Sequence, residues 1–126
     1  MSTDNTFEEL IGNIALGKKW ASGTSTPFFD SYIASYYVFD LNFNNLGFIP
    51  STVIATATYQ GIYVPTVIYS KNLKAVPSGK CIFCQARNDG QHNQMFVQLF
   101  PCIEKNNVLY MYGIGNDRTY NWIAFE

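Results

Sequence analysis

Apolar and polar positions alternate along most of this chain, and the period of the pattern changes once. Between Asp4 and Gly17, Phe7, Leu10, Ile11 and Ile14 recur at helical spacing on one face. Thr6 followed by Glu9 has the spacing of a capping box, in which each side chain satisfies a free backbone N–H at a helix start. Gly17 is a suitable C-terminal stop. The pattern predicts a short N-terminal helix. A helix of about ten residues is marginal alone in water, so it has to dock, on its own domain or against copies of itself.

From Lys18 onward the period becomes that of strands. Short β-rich runs are predicted at Lys19–Thr24, Ile33–Phe43, Thr52–Tyr59, Tyr63–Tyr69, Lys80–Arg87, Gln94–Phe100, Val108–Gly113 and Tyr120–Phe125. Between them lie turn sequences: Asn44-Asn45, Gln60-Gly61, Pro77-Ser78-Gly79, Asn88-Asp89-Gly90, Lys105-Asn106-Asn107 and Gly115-Asn116-Asp117. Gly and Asn accept the positive φ that tight turns demand. Many short strands at near-regular spacing predict an all-β fold, an antiparallel sandwich or barrel. The chain divides into a helical segment, residues 1–17, and a β domain, residues 18–126.

Alternation also assigns faces. Ile33, Tyr37, Phe39, Leu41 and Phe43 share one side of their strand, and Val53, Ala55, Ala57 and Tyr59 share one side of the next. Gln94–Phe100, Val108–Gly113 and Tyr120–Phe125 are apolar on both sides. A strand greasy on both faces has to be covered on both, so their second faces predict a subunit interface. The alternative is partial exposure of large Tyr rings whose hydroxyls reach water.

Composition sharpens this picture. The chain has 126 residues, of which 17% are aromatic and only 13% charged, with 8 Lys+Arg against 9 Asp+Glu. A nucleic-acid partner is not expected, because phosphate contacts need clustered cations. No apolar stretch reaches the roughly 20 residues of a membrane helix, so membrane insertion is not expected. The polar, acidic start from Met1 to Glu9 is unlike a secretory signal peptide, which points to synthesis in the cytoplasm. No repeat of solenoid type is visible. Cys81, Cys84 and Cys102 are odd in number, and Cys81-x-x-Cys84 lacks two further zinc ligands at suitable spacing, His92 being the single histidine. These cysteines are expected to be small apolar residues in a sheet, with no metal and no cofactor.

The chain shows no phosphate loop, nucleophile elbow or spaced carboxylate pair. Apart from Asp89, His92 has no nearby orienting partner in the sequence that would make it a catalytic base. No catalytic residue is therefore expected. Binding fits better. Carbohydrate sites join aromatic faces, which cover the C–H side of a sugar, to side chains that bond its hydroxyls, on loops carried by a rigid β scaffold. Two loops carry such groups, one with Arg87, Asp89 and His92, the other with Asp117, Arg118, Tyr120 and Trp122. Ordinary turn polarity accounts for the same residues without a ligand.

Three passages carry a resemblance. Gly17-Lys18-Lys19-Trp20-Ala21-Ser22-Gly23-Thr24 resembles the opening strand of many phage tail-fibre tip domains. Leu46-Gly47-Phe48-Ile49-Pro50-Ser51-Thr52-Val53-Ile54-Ala55 is similar to their "LGF-x-P-x-x-V-I" segment, and Tyr120-Asn121-Trp122-Ile123-Ala124 to the closing strand of H-type-lectin-like domains. Ile49 departs from a position often polar or charged there. The resemblance implies a compact antiparallel β-sandwich that assembles as a homotrimer, with the N-terminal helix as a stalk or shoulder. It implies a receptor-binding module of a virion tail that contacts bacterial cell-surface glycan without catalysis and sits among other phage tail proteins. The alternatives are a structural baseplate or fibre connector that binds only proteins, and an enzyme acting on surface polysaccharide.

Overall fold

A computed structural model describes residues 19–30, 36–57, 63–87, 95–113 and 118–126. The predicted N-terminal helix lies outside the described residues. The rest is almost entirely antiparallel strand: β1 (Trp20–Ser25), β2 (Phe28–Asp30), β3 (Tyr36–Asn42), β4 (Thr52–Ala57), β5 (Tyr63–Ser70), β6 (Lys80–Arg87), β7 (Met95–Lys105), β8 (Val108–Tyr112) and β9 (Tyr120–Phe125). One helical turn, α1 (Phe43–Leu46), follows β3. The all-β expectation holds. The strands form a single nine-stranded sheet in the order β1-β9-β4-β5-β6-β7-β8-β3-β2.

That sheet curls because β7 serves two neighbours. Its first part pairs with β6, from Ala86↔Met95 to Lys80↔Pro101, and its second part with β8, from Cys102↔Met111 to Lys105↔Val108. Sequence pattern ends this strand at Phe100, since Pro101 offers no N–H to a ladder. The structure continues it to Lys105, because Pro101 falls where the strand exchanges one partner for the other. Asn106 (φ 53°) and Asn107 (φ 64°) then turn the chain back into β8, the pair of positive φ values a two-residue hairpin takes.

The curl brings opposite ends of the strand order together. Phe39 of β3 stacks on Tyr120 of β9, with centroids 5.0 Å apart and planes 20° from parallel. Around them lie Leu41, Val53, Ala55, Val67, Leu109 and Met111, all buried. At the β7 bend, Phe100 stacks on Tyr112 at 3.9 Å, and Phe83 meets both rings edge-on at 5.3 and 5.2 Å. Offset and edge-on geometries of this kind add to what apolar burial alone supplies.

The Gly-Phe-x-Pro passage closes one end of this core. Asn42 caps α1, its side chain accepting from the Asn44 N–H at 2.9 Å. Gly47 takes φ +79° and donates its N–H to the Phe43 carbonyl, a left-handed helix stop that suits glycine. Phe48 then enters the core and Pro50 is fully buried, while Ile49 points out. Ser51 donates its backbone N–H to the Phe125 carbonyl at 2.7 Å and its hydroxyl to the Glu126 carbonyl at 2.9 Å. The loop is thereby fastened to the end of β9 just before β4 begins.

Candidate functional site

Antiparallel pairing decides which loops share an end of the sheet. Tyr120 of β9 pairs with Ala57 of β4, Thr56 with Thr66 of β5, Tyr63 with Arg87 of β6, and Ala86 with Met95 of β7. The strand ends that bracket residues 58–62 and 88–94 and the start of β9 therefore lie along one end of the sheet. The two polar loops singled out by sequence are bracketed there together, although about thirty residues separate them. A rigid strand array carrying loops at one end is a common place for recognition.

The expected site residues fare differently at that end. Asp89, His92 and Asp117 lie outside the described residues. Arg87 ends β6, its backbone paired with Tyr63. Tyr120 is corrected: it is 0% exposed in the core against Phe39 and offers no face to a ligand. Trp122 is half-buried against the core, and its indole N–H donates to the Ser25 hydroxyl at 3.1 Å. Its ring lies over Gly23, where a Cβ would stand 2.6 Å from the indole Cζ2. Much of the aromatic supply of the C-terminal loop is therefore used inside the protein. Sequence alternation places Tyr120 and Trp122 on one side of β9 but does not reveal that the sheet folds back over that side.

Arg118 is the exception. It is half-buried just before β9, and its Nη1 atom is buried without a hydrogen-bond partner among the described residues. A guanidinium N–H removed from water with no acceptor costs free energy. An acceptor supplied from elsewhere removes that cost, whether a sugar hydroxyl, a carboxylate or a phosphate oxygen.

The opposite end holds a groove that the sequence reading passed over. Its volume is about 560 Å³. The β5–β6 connection folds over the inner residues Tyr69 and Cys102 to form it, turning at Pro77–Lys80, where the Lys80 N–H donates to the Pro77 carbonyl at 3.2 Å. Lys71, Lys74 and Lys80 line it, and its one lining carboxylate is Glu104. Glu104 accepts the Tyr69 hydroxyl at 2.9 Å and lies 3.5 Å from Lys71 Nζ. Burial, then the hydrogen bond to Glu104, then that carboxylate's charge, push the Tyr69 phenol well above its ordinary range. The groove's charge is positive. The sequence carries a signal for it, three of eight cations within ten residues, between the predicted strands Tyr63–Tyr69 and Lys80–Arg87 and at the start of the second.

The thiols are free. Cys81 and Cys102 are buried, and the Cys81 thiol donates to the Phe100 carbonyl at 3.5 Å; the interaction between the two thiols holds Cys102 up and draws Cys81 down. Cys84 turns to the other face of β6, half-exposed, its thiol raised by burial. Among the described residues no group of three or more His, Cys, Asp or Glu gathers to hold a metal. Among them, too, no helix is long and apolar enough to cross a membrane. Comparison with known protein families, with curated proteins and with solved structures finds no match.

Proposed function

We propose that this chain is a non-catalytic adhesion module, a phage tail receptor-binding tip that recognises bacterial surface carbohydrate through several identical weak sites. The observation that carries the proposal is Arg118. Its buried Nη1 has no acceptor among the described residues, at the sheet end where the start of β9 meets the strand ends that bracket residues 88–94. In this reading Arg118 anchors a sugar oxygen, and Arg87, Asp89, His92, Asp117 and Trp122 remain the further candidates that the sequence supplies. The curled sheet is read as the two-layer sandwich of the H-type-lectin-like kind, and the working unit as a homotrimer in the virion tail. Three sites on one rigid body gain avidity through effective concentration. The resemblance in the Gly47–Pro50 and Tyr120–Ala124 passages supports this context.

Binding of the full chain to a panel of bacterial cell-wall polysaccharides and to whole cells tests it. The expected result is saturable binding to some of them, abolished by Arg118→Ala. Absence of binding by the assembled protein at any avidity-assisted concentration overturns it. A second reading, a structural connector that binds only proteins, is favoured by the exposed apolar side chains Ile54, Val97, Leu99 and Phe125 on the outer face of the sheet. It predicts capture of other tail proteins and none of glycans. Release of soluble sugar from cell-wall material would instead mark an enzyme.

A further inference from the structure

The groove at the sheet end opposite Arg118 is built before anything binds. The β5–β6 connection that forms it is tied down at both ends, by the Lys71 N–H on the Ser51 carbonyl at 2.9 Å and by the Cys102 N–H on the Gly79 carbonyl at 2.9 Å. Between these ties the Val76 N–H reaches the Leu73 carbonyl at 3.0 Å. Gly79, at φ +81°, takes the left-handed position of the turn that ends on Lys80. A fixed concavity of about 560 Å³ falls within the range of small-molecule sites, roughly 300–1,000 Å³.

Charge says what such a site holds. Lys71, Lys74 and Lys80 line it with one carboxylate, Glu104, which leaves an excess of two positive charges in a chain whose net charge is -1. Glu104 is engaged twice, accepting the Tyr69 hydroxyl at 2.9 Å and lying 3.5 Å from Lys71 Nζ. Among the described residues Lys74 and Lys80 form no ion pair with a carboxylate. The interaction with Cys81 and then burial hold the Cys102 thiol up, while the Lys80 charge opposes them, so that charge acts at the groove floor. The cations are all lysines, point charges that suit the oxygens of a phosphate, with no arginine fork to pair a planar carboxylate. A phosphate monoester carries a charge of about -1.5 to -2 near neutral pH, which matches the excess. Leu73, 45% exposed, together with Val76 and Pro77, offers an apolar wall to the body that bears the phosphate.

We infer that this groove binds a phosphate monoester of a small organic molecule, the phosphate held by Lys74 and Lys80 and the organic body lying against Leu73. Tyr69 and Lys71 occupy Glu104, which leaves the other two lysines to the ligand. The site is separate from the one centred on Arg118 and does not rest on the adhesion reading.

Titration of the full chain with phenyl phosphate, followed by calorimetry and by the amide shifts of residues 71–80, tests it, with inorganic phosphate and phenol alongside. Phenyl phosphate is expected to bind at one site per chain, more tightly than inorganic phosphate and more weakly as salt is raised, and phenol not at all. Lys74 and Lys80 are exposed, so their glutamine variants keep the fold, which circular dichroism checks. Lys74→Gln and Lys80→Gln each weaken binding about two- to fivefold, and together about tenfold. Glu104→Gln removes the one opposing charge and strengthens binding about two- to fivefold. Arg118→Ala leaves it unchanged, so failure of glycan binding and failure of this site are read separately. Cell-wall polysaccharide is then added as competitor, before and after phosphatase treatment. Displacement by the untreated material alone assigns the phosphate to the cell surface, displacement by neither assigns a soluble monoester, and both outcomes uphold the site. No saturable binding of phenyl phosphate at millimolar concentration overturns the inference. So does a folded double lysine variant that binds as the wild type does.

Discussion

Replacing Phe39 probes the curl of the sheet directly. Phe39 is 0% exposed and stacks on Tyr120 at 5.0 Å, though β3 and β9 stand far apart in the strand order. Truncation to Ala removes a fully buried ring and leaves a cavity, a loss of about 3–5 kcal/mol. That is a large share of the roughly 5–15 kcal/mol that holds a domain folded. Milder changes isolate the pair. Phe39→Leu and Tyr120→Leu, singly and together, form a double-mutant cycle whose coupling is expected at about 0.5–1.5 kcal/mol, the worth of an aromatic pair beyond its area. Urea unfolding followed by tryptophan fluorescence and circular dichroism reads all four proteins. Protein concentration is held constant, because any association would add its own contribution to apparent stability. Coupling within about 0.3 kcal/mol of zero would mean additive, independent sites, and would refute the packing of β3 against β9.

Three further outcomes follow from the same geometry. Tyr69→Phe removes the hydroxyl that Glu104 accepts and costs about 0.5–1.5 kcal/mol near neutral pH. Because the folded protein holds the Tyr69 phenol above its unfolded pKa of about 10, the stability from this group is complete below that value and declines as pH rises above it. The alkaline limb of a stability–pH curve should accordingly flatten in Tyr69→Phe, and an unchanged limb would contradict the assignment. Gly23→Val drives a side chain into the indole of Trp122, so fluorescence should shift and stability fall by about 1–3 kcal/mol; an unaltered spectrum would show that the ring does not lie there. Gly47→Ala forces a Cβ into φ +79° and should cost about 1–2 kcal/mol in thermal or urea unfolding, with Gly47→Asn milder.

Some of this fold is legible from alternation alone. Val53, Ala55 and Ala57 are buried, and Ile54 points outward, as a period of two requires. The boundaries of β6 and β9 match the predicted runs. Phe28–Asp30 is not legible as a strand, because three residues after Pro27 carry too little pattern. β7 ran past its expected end because a proline is acceptable where a strand changes partners. The candidate site was harder to read, since Tyr120 belongs to the core through its contact with Phe39, and Trp122 packs against that core over Gly23, both contacts between strands distant in sequence. Periodicity sets Ile54 opposite Val53 and Ala55 but leaves the face of Leu99 open in a strand apolar on both sides, and the register brings Ile54, Ile68, Ile82 and Leu99 onto one row. Only the register says that they stand side by side.

Multivalent glycan binding is the claim on which the account stands, and one measurement meets it most directly. Binding of the full wild-type chain to a surface coated with bacterial cell-wall polysaccharide is compared with its binding to short soluble fragments of that polysaccharide and with binding of Arg118→Ala to the surface. The account predicts tight binding to the coated surface, an apparent affinity on the order of 10²–10⁴ lower for the fragments, which engage one site at a time, and no binding without Arg118. A wild type that binds no polysaccharide, or that binds as well with Arg118 replaced, would contradict it.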